Sequence, residues 1–318
     1  MSVFSSLPTA FEYSVPTPMT VTADTSMQKH VIRWAFASLI CALFVGLGPV
    51  AALAQDNGGG AKKEKINELK KAYASFQKAG KQQNYQTAYS SLSEAVRLAE
   101  ETGQSGALNK LRNFQQNLPT KWGNEAIEKK DFEKALNHFE KGIEWSPDDA
   151  YVYYGKGLSL VNMDSTEAGL QTLKKSIEVG NRTGNTRVTG LATKRIRDEF
   201  LAKASKALNA QDPTEAKANK ALEALDEMQK YVDPNPSSLF YRARALFEKR
   251  EYQQAITAAD QGLEQHQGSR SDAAKYHFIV AESHMKLGNK GTACQTFQRA
   301  TYGDYKARAE HYLKNECQ

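Results

Sequence analysis

Small and large apolar residues recur along this chain at a fixed distance. Gly123 aligns with Gly157 at an offset of 34 residues, and the same offset relates Ala135 to Gly169, Phe139 to Leu173, Gly142 to Ser176 and Ile143 to Ile177. Small falls on small and large on large, which predicts a repeated structural unit. The pattern reads as two antiparallel helices per unit. Where the helices cross, and where the next unit begins, backbones approach so closely that only Gly, Ala or Ser fits; large residues fill the gaps between crossings. One helix pair cannot bury its apolar face, whereas stacked pairs bury a continuous core. Asp304–Asn315 predicts a last amphipathic helix, with Tyr305, Ala309 and Tyr312 on one side, of the kind that caps such a stack.

Several segments carry one motif. Trp122-Gly123 leads to Asp131-Phe132-Glu133-Lys134-Ala135, Phe139, Gly142-Ile143 and Pro147. Ala243 leads to Tyr252-Gln253-Gln254-Ala255, Ala259 and Gly262-Leu263, and Ala281 to Leu287-Gly288, Ala293, Phe297 and Ala300. An earlier copy is Tyr85-Gln86-Thr87-Ala88 with Leu92 and Ala95; a weaker one is Ala221, Leu225 and Met228, followed by Pro234. Over roughly residues 64–303 the chain resembles the tetratricopeptide repeat family. The resemblance implies an all-α fold: a right-handed α-solenoid of stacked helix-turn-helix repeats with a C-terminal capping helix. Repeats 1–3 would occupy 64–183, repeats 4–6 would occupy 184–303, and the cap 304–318.

The resemblance also implies a concave groove, lined by the first helix of each unit, that binds peptide segments of other proteins. Carried onto this chain, the groove positions are Asn117, Thr120, Asn124 and Ile127, then Tyr151, Tyr154, Leu158 and Val161, then Ser237, Phe240, Arg244 and Phe247. Each of these also fits an ordinary place in the core or at its rim. Some members of the family clamp a C-terminal carboxylate with Lys and Asn. Thr120 stands where the Lys belongs and Gly155 where the second Asn belongs, so that clamp is not expected. The chain departs from the motif at Gly169, where Ala is usual, at a stretched turn around Gln211-Asp212-Pro213 and at a long loop from Gln265 to Asp272. Residues 180–190, rich in Gly, Asn and Thr, read as a break between units.

The N-terminal part has a different pattern. Residues 1–26 are polar and turn-rich, with Pro8, Pro16 and Pro18, and read as disordered or as an extension upstream of a start at Met27. Lys29 and Arg33 then precede a stretch from Trp34 to Ala54 without a charged residue, and Ala52-Leu53-Ala54 offers a cleavage site. Residues 27–54 thus predict a signal peptide. An uncleaved anchor fits the same run, which is long enough to span a bilayer. Either reading puts the repeats outside the cytoplasm, with the basic residues inside. Cys41 is discounted as a lipoprotein acylation site, because it follows Ile40 in mid-run. Residues 55–63, with Gly58-Gly59-Gly60, read as a linker.

Charge narrows the functional classes. The net charge is +6, with acidic and basic residues mostly interleaved, as on a solvated helix surface; no nucleic-acid partner is expected. One cluster, Arg182, Arg187, Lys194, Arg195 and Arg197, precedes any acid until Asp198 and reads as an anion-facing patch or a solvated face. Of three Cys, Cys294 and Cys317 lie beyond the signal and suggest a disulfide in an exported chain, or else two structural thiols.

Catalytic and cofactor chemistry is not indicated. His138 and His266 take surface-type positions, and His277 and His284 share a helix with Glu282, but a metal site needs three or four converging ligands, so packing is the preferred reading. Gly288-Asn289-Lys290-Gly291-Thr292 lacks the order of a phosphate-binding loop and reads as a turn. The expectation is a non-enzymatic scaffold or adaptor of the bacterial envelope, periplasmic, with no cofactor, no metal and no small-molecule substrate, binding other proteins or peptide segments. The alternatives are a fixed subunit of an outer-envelope assembly or secretion complex, and an envelope enzyme or glycan-binding protein.

Overall fold

The computed structural model describes residues 59–209 and 214–318. The extension 1–26, the signal or anchor 27–54, linker residues 55–58 and the turn around Gln211-Asp212-Pro213 lie outside the described residues. Among those described, thirteen α-helices and one short 3-10 turn account for the regular structure. They are α1 (Gly60–Lys81), α2 (Tyr85–Glu101), α3 (Ser105–Glu128), α4 (Phe132–Trp145), α5 (Ala150–Asn162), α6 (Thr166–Thr183) and α7 (Thr186–Leu208). Then follow α8 (Glu215–Met228), α9 (Pro236–Glu248), α10 (Tyr252–Glu264), α11 (Arg270–Lys286), α12 (Lys290–Arg299), the 3-10 turn Gly303–Tyr305 and α13 (Lys306–Asn315).

The helices form two compact units that divide within α3, after Gln115. In the first, α1 packs along α2. Helix α1 buries Ile66, Leu69, Tyr73, Phe76 and Ala79, one face at spacings of three and four, and Phe76 meets Phe114 of α3 with ring centroids 5.4 Å apart. In the second unit every helix from α4 onward packs on the next, and α5, α7, α9 and α11 also touch in sequence. This is the nearest-neighbour order of an α-solenoid, in which odd-numbered helices form one closely spaced row. Helix α13 closes it against α12, with Ala309 buried beside Phe278 and Phe297.

One turn geometry recurs. After α1, α3, α5, α9 and α11 a single residue adopts a left-handed conformation: Gln83, Lys130, Asp164, Arg250 and Gly288, with φ between 56° and 79°. The next amide then reaches back five residues, as in Asn84 N–H to Ala79 O at 2.9 Å and Asp131 N–H to Ala126 O at 2.9 Å. This is a Schellman closure, and it reverses the chain with the same geometry each time. In the first two turns the following residue also caps the second helix, Asn84 and Asp131 accepting from Thr87 N–H and Lys134 N–H, whereas Ser165, Glu251 and Asn289 make no such side-chain bond.

The small residues mark close crossings. A side chain on Gly157 would meet the Gly169 carbonyl at 3.1 Å, and one on Gly169 the Val161 amide nitrogen at 2.9 Å. Backbone meets backbone here, which explains Gly in place of Ala at 169.

Three expectations are corrected. Helix α1 begins at Gly60, inside the stretch read as linker, because Ala61-Lys62-Lys63-Glu64 are strong helix formers behind Gly59. The break at 180–190 shrinks to Gly184 and Asn185: Gly184 takes φ 73°, and Asn185 accepts from Val188 N–H to start α7 at once. Gly180 belongs to α6, where a side chain would collide with Thr189. The loop after α10 ends at Ser269, whose capping box with Asp272 starts α11 at Arg270.

Candidate interaction face

The row of odd helices is where a peptide groove is expected, and the structure places the sequence-derived residues along it unevenly. Tyr151 and Tyr154 of α5 are half-buried at the seam with α7. Tyr151 rests against Val179 and Val188, and Tyr154 against the cluster of Val161, Leu173, Ala192, Ile196 and Phe200. Burial raises the Tyr154 hydroxyl above its ordinary range; Arg195 opposes this and Asp198 adds to it. Leu158 is half-buried on the same helix, whereas Val161 is core. Both rings keep part of their surface open to solvent, and Tyr154 lies near Arg195, which pairs with Glu199 at 2.5 Å.

Helix α9 behaves differently. Phe240 is only 9 % exposed, because the next repeat covers it: Tyr276 meets it edge-on at 5.7 Å and the Lys275 ammonium stands 5.1 Å over its ring. The expectation of a flat contact for a ligand is corrected there; Phe240 is core. Phe247 packs edge-on against Tyr252 at 5.4 Å and against the α10–α11 cluster. Arg244 remains half-buried, donating from Nη1 and Nη2 to Asn209 Oδ1 at 3.3 Å each. Glu248, one turn on, has its carboxyl raised by burial and partly lowered again by Arg244. Ser237 is half-buried at the start of this helix.

On α3, Asn117 and Asn124 are exposed and Ile127 packs against Ala126 and Phe139. Thr120 is half-buried, with its hydroxyl enclosed and without a hydrogen bond. The ring of Phe139 lies against Gly155, leaving no room there for the Asn of a carboxylate clamp.

A site that sequence reading missed lies between α11 and α13. Glu282 accepts from Tyr312 Oη at 3.1 Å and from Arg308 Nη2 at 3.5 Å. Burial raises its carboxyl, against the pull of Arg308 and Tyr312. Its signal was an acid directly after the apolar run Phe278–Ala281. The Arg308 guanidinium lies 4.3 Å over Phe278, Tyr312 stacks on Phe297 at 4.4 Å, and Cys317 is bonded to Cys294 (Sγ–Sγ 2.01 Å, Cα–Cα 5.7 Å).

Two other expectations change. His138 is 2 % exposed on the buried face of α4, and burial pushes its imidazole down to about 4. The basic cluster is largely matched: Arg182 pairs with Asp148, Lys194 with Asp198 and Arg195 with Glu199, and Arg197 donates to Asp233 O. Among the described residues, no three His, Cys, Asp or Glu side chains converge as a metal site, and no helix is long and apolar enough to cross a membrane.

Comparison with known proteins bears on the family. Two family profiles, both described as tetratricopeptide repeat, match the chain, one at residues 201–270 and 240–309 and the other at 123–149. These segments are tetratricopeptide repeats. The repeats named here therefore include α8 to α12 and α4, and their fold is that of a protein–protein interaction scaffold. Similar solved structures include the MamA protein, at 14 % identity over 64 % of this chain and 97 % of that one, with a TM-score of 0.34. YrrB, described as a TPR protein with an unusual peptide-binding site, shows 16 % identity over 63 % and 92 %, with a TM-score of 0.32. Yeast Tom70 shows 13 % identity over 95 % and 75 %, with a TM-score of 0.28. No curated protein matches the sequence.

Proposed function

We propose that this protein is a non-enzymatic adaptor of the bacterial cell envelope that holds extended peptide segments of other proteins along the α5–α7 seam. The observation that carries the reading is the pair Tyr151 and Tyr154, half-buried on α5, with Arg195 of α7 near Tyr154. Flat, rigid rings with one apolar face and a polar tip lose little entropy on contact, and aromatic and Arg residues dominate such interfaces. Arg244 extends the row on α9 and can face a backbone carbonyl or carboxylate. The envelope part rests on Lys29 and Arg33 before the charge-free run to Ala54, and on the Cys294–Cys317 pairing, which suits an oxidising compartment.

The test is fluorescence anisotropy of the purified protein against a library of labelled extended peptides. Tyr151→Ala with Tyr154→Ala is expected to weaken the best binder at least tenfold, about 1.4 kcal/mol. Lys220→Ala, on exposed surface of α8, is expected to leave it unchanged. Equal loss from both changes would remove the groove reading. Recovery from cells only as a fixed stoichiometric complex, with no exchangeable peptide, would favour a permanent subunit of a larger assembly. Fractionation that finds the chain in the cytoplasm would remove the envelope part.

A further inference from the structure

The excess positive charge of this protein is concentrated. Between residues 59 and 115 there are ten Lys and Arg against five Asp and Glu; between 116 and 318 there are thirty against twenty-eight. Within the first unit the acids are largely matched: Glu94 and Glu101 pair with Arg97, Glu101 also with Lys65, and Glu100 with Arg112. Most of the bases that remain lie on α1, which also carries Glu64 and Glu68; Lys110 lies on α3. Lys71, Lys78 and Lys81 are exposed and Lys70 is half-buried, and among the described residues none of the four has an ion pair. Lys70 and Lys81 are three helical turns apart and Lys71 and Lys78 two, so the four ammonium groups form a stripe about 16 Å long. The opposite face holds Ile66, Leu69, Tyr73, Phe76 and Ala79 in the core, which fixes the stripe outward.

Two further observations point to what the stripe meets. An open cleft of about 450 Å³ lies beside it between α1 and α2, lined by Lys71, Ser75, Ser90, Ser91, Ala72 and Glu94. Ser90 donates to Thr87 O and Ser75 and Ser91 share one hydrogen bond, which leaves one hydroxyl proton of that pair for a phosphate oxygen beside Lys71, and the Glu94 charge is already taken up by Arg97. In addition, α1 begins only five residues after the charge-free run that ends at Ala54. Read as an uncleaved anchor, that run would bring α1 to a bilayer surface.

We propose that α1 is a membrane-docking helix, which lays its lysine stripe on the headgroups of an anionic phospholipid bilayer. Clustered lysines near such a surface gain from its negative potential, each contributing roughly a fivefold increase in binding, and the gain fades within a Debye length. The α5–α7 peptide seam plays no part in this contact, so either proposal can fail without the other.

The experiment is flotation of the full chain with vesicles of phosphatidylcholine alone and with one-third phosphatidylglycerol. An apolar anchor enters both alike, so the readout is the ratio between them. Wild type is expected to prefer the anionic vesicles at least tenfold at low salt, and to lose the preference in molar salt. K70Q/K71Q/K78Q/K81Q is expected to abolish the preference with helix content by circular dichroism unchanged. K206Q/K220Q/K286Q/K290Q removes the same charge elsewhere and is expected to keep it. The proposal is overturned by a ratio near one for wild type, by equal loss from both quadruple variants, or by soluble heparin binding in full where vesicles do not.

Discussion

At position 138 residue type and helical period disagree. Histidine suggests a surface, yet 138 lies on the face that carries Ala135, Phe139 and Gly142, all buried. Periodicity had the right answer: a side chain three and four residues from core neighbours goes where they go. The consequence is measurable. The buried imidazole has its pKa depressed from the ordinary 6.5 to about 4, mainly by burial. The unfolded chain therefore binds a proton that the folded one does not between these values, and stability rises with pH across that window. We expect the unfolding free energy from urea titration to fall as pH drops from 6.5 towards 4, by up to about 2–3 kcal/mol, and the fall to be smaller in His138→Gln. Phe240 is the opposite case. Its helix and register were legible, but its fate depends on Tyr276 one repeat later, and no spacing within α9 reports that cover.

Helices and their joints were legible where chain chemistry is local and obscure where it depends on a partner. Glycines and alanines at crossings betrayed the pairs, because a backbone contact tolerates nothing larger. The stretch 180–190 misled because glycine counts as a breaker by type, whereas Gly180 and Gly190 continue their helices and only Gly184 turns the chain. For α13, the last element, the period foretold the Tyr305, Ala309 and Tyr312 face, but not that Glu282 would be the polar hook beneath it. This helix is held by ring packing, by Glu282 and by a covalent tie spanning 23 residues. Closing a loop of that size contributes about 3 kcal/mol by chain entropy. Cys294→Ser with Cys317→Ser is expected to speed amide exchange of residues 306–315 by roughly a hundredfold, while α9 and α10 keep their protection. Equal acceleration in all three helices would show that the tie supports the whole stack and not only its end.

Within the second unit, each helix draws its contacts from the helices next to it and next but one. Stability in such an array is a sum of repeat and neighbour terms, so damage should spread by proximity along the stack. Gly155→Ala is the sharp probe, since the new methyl would overlap the Phe139 ring. We expect a net loss of about 2 kcal/mol, the steric cost exceeding the gain in helix propensity. Hydrogen exchange should rise most in α4, α5 and α6 and least in α12; a uniform rise would mean that the unit opens all at once.

The Phe139 ring is held by two absences: at Gly123 a methyl would sit 2.6 Å from its Cζ, and at Gly155 one would sit closer still to the same atom. A module built this way cannot be cut out and pasted between arbitrary neighbours. Transplanted next to an alanine-faced helix it would jam, so recombination or protein engineering must move α3, α4 and α5 together, as one indivisible cassette.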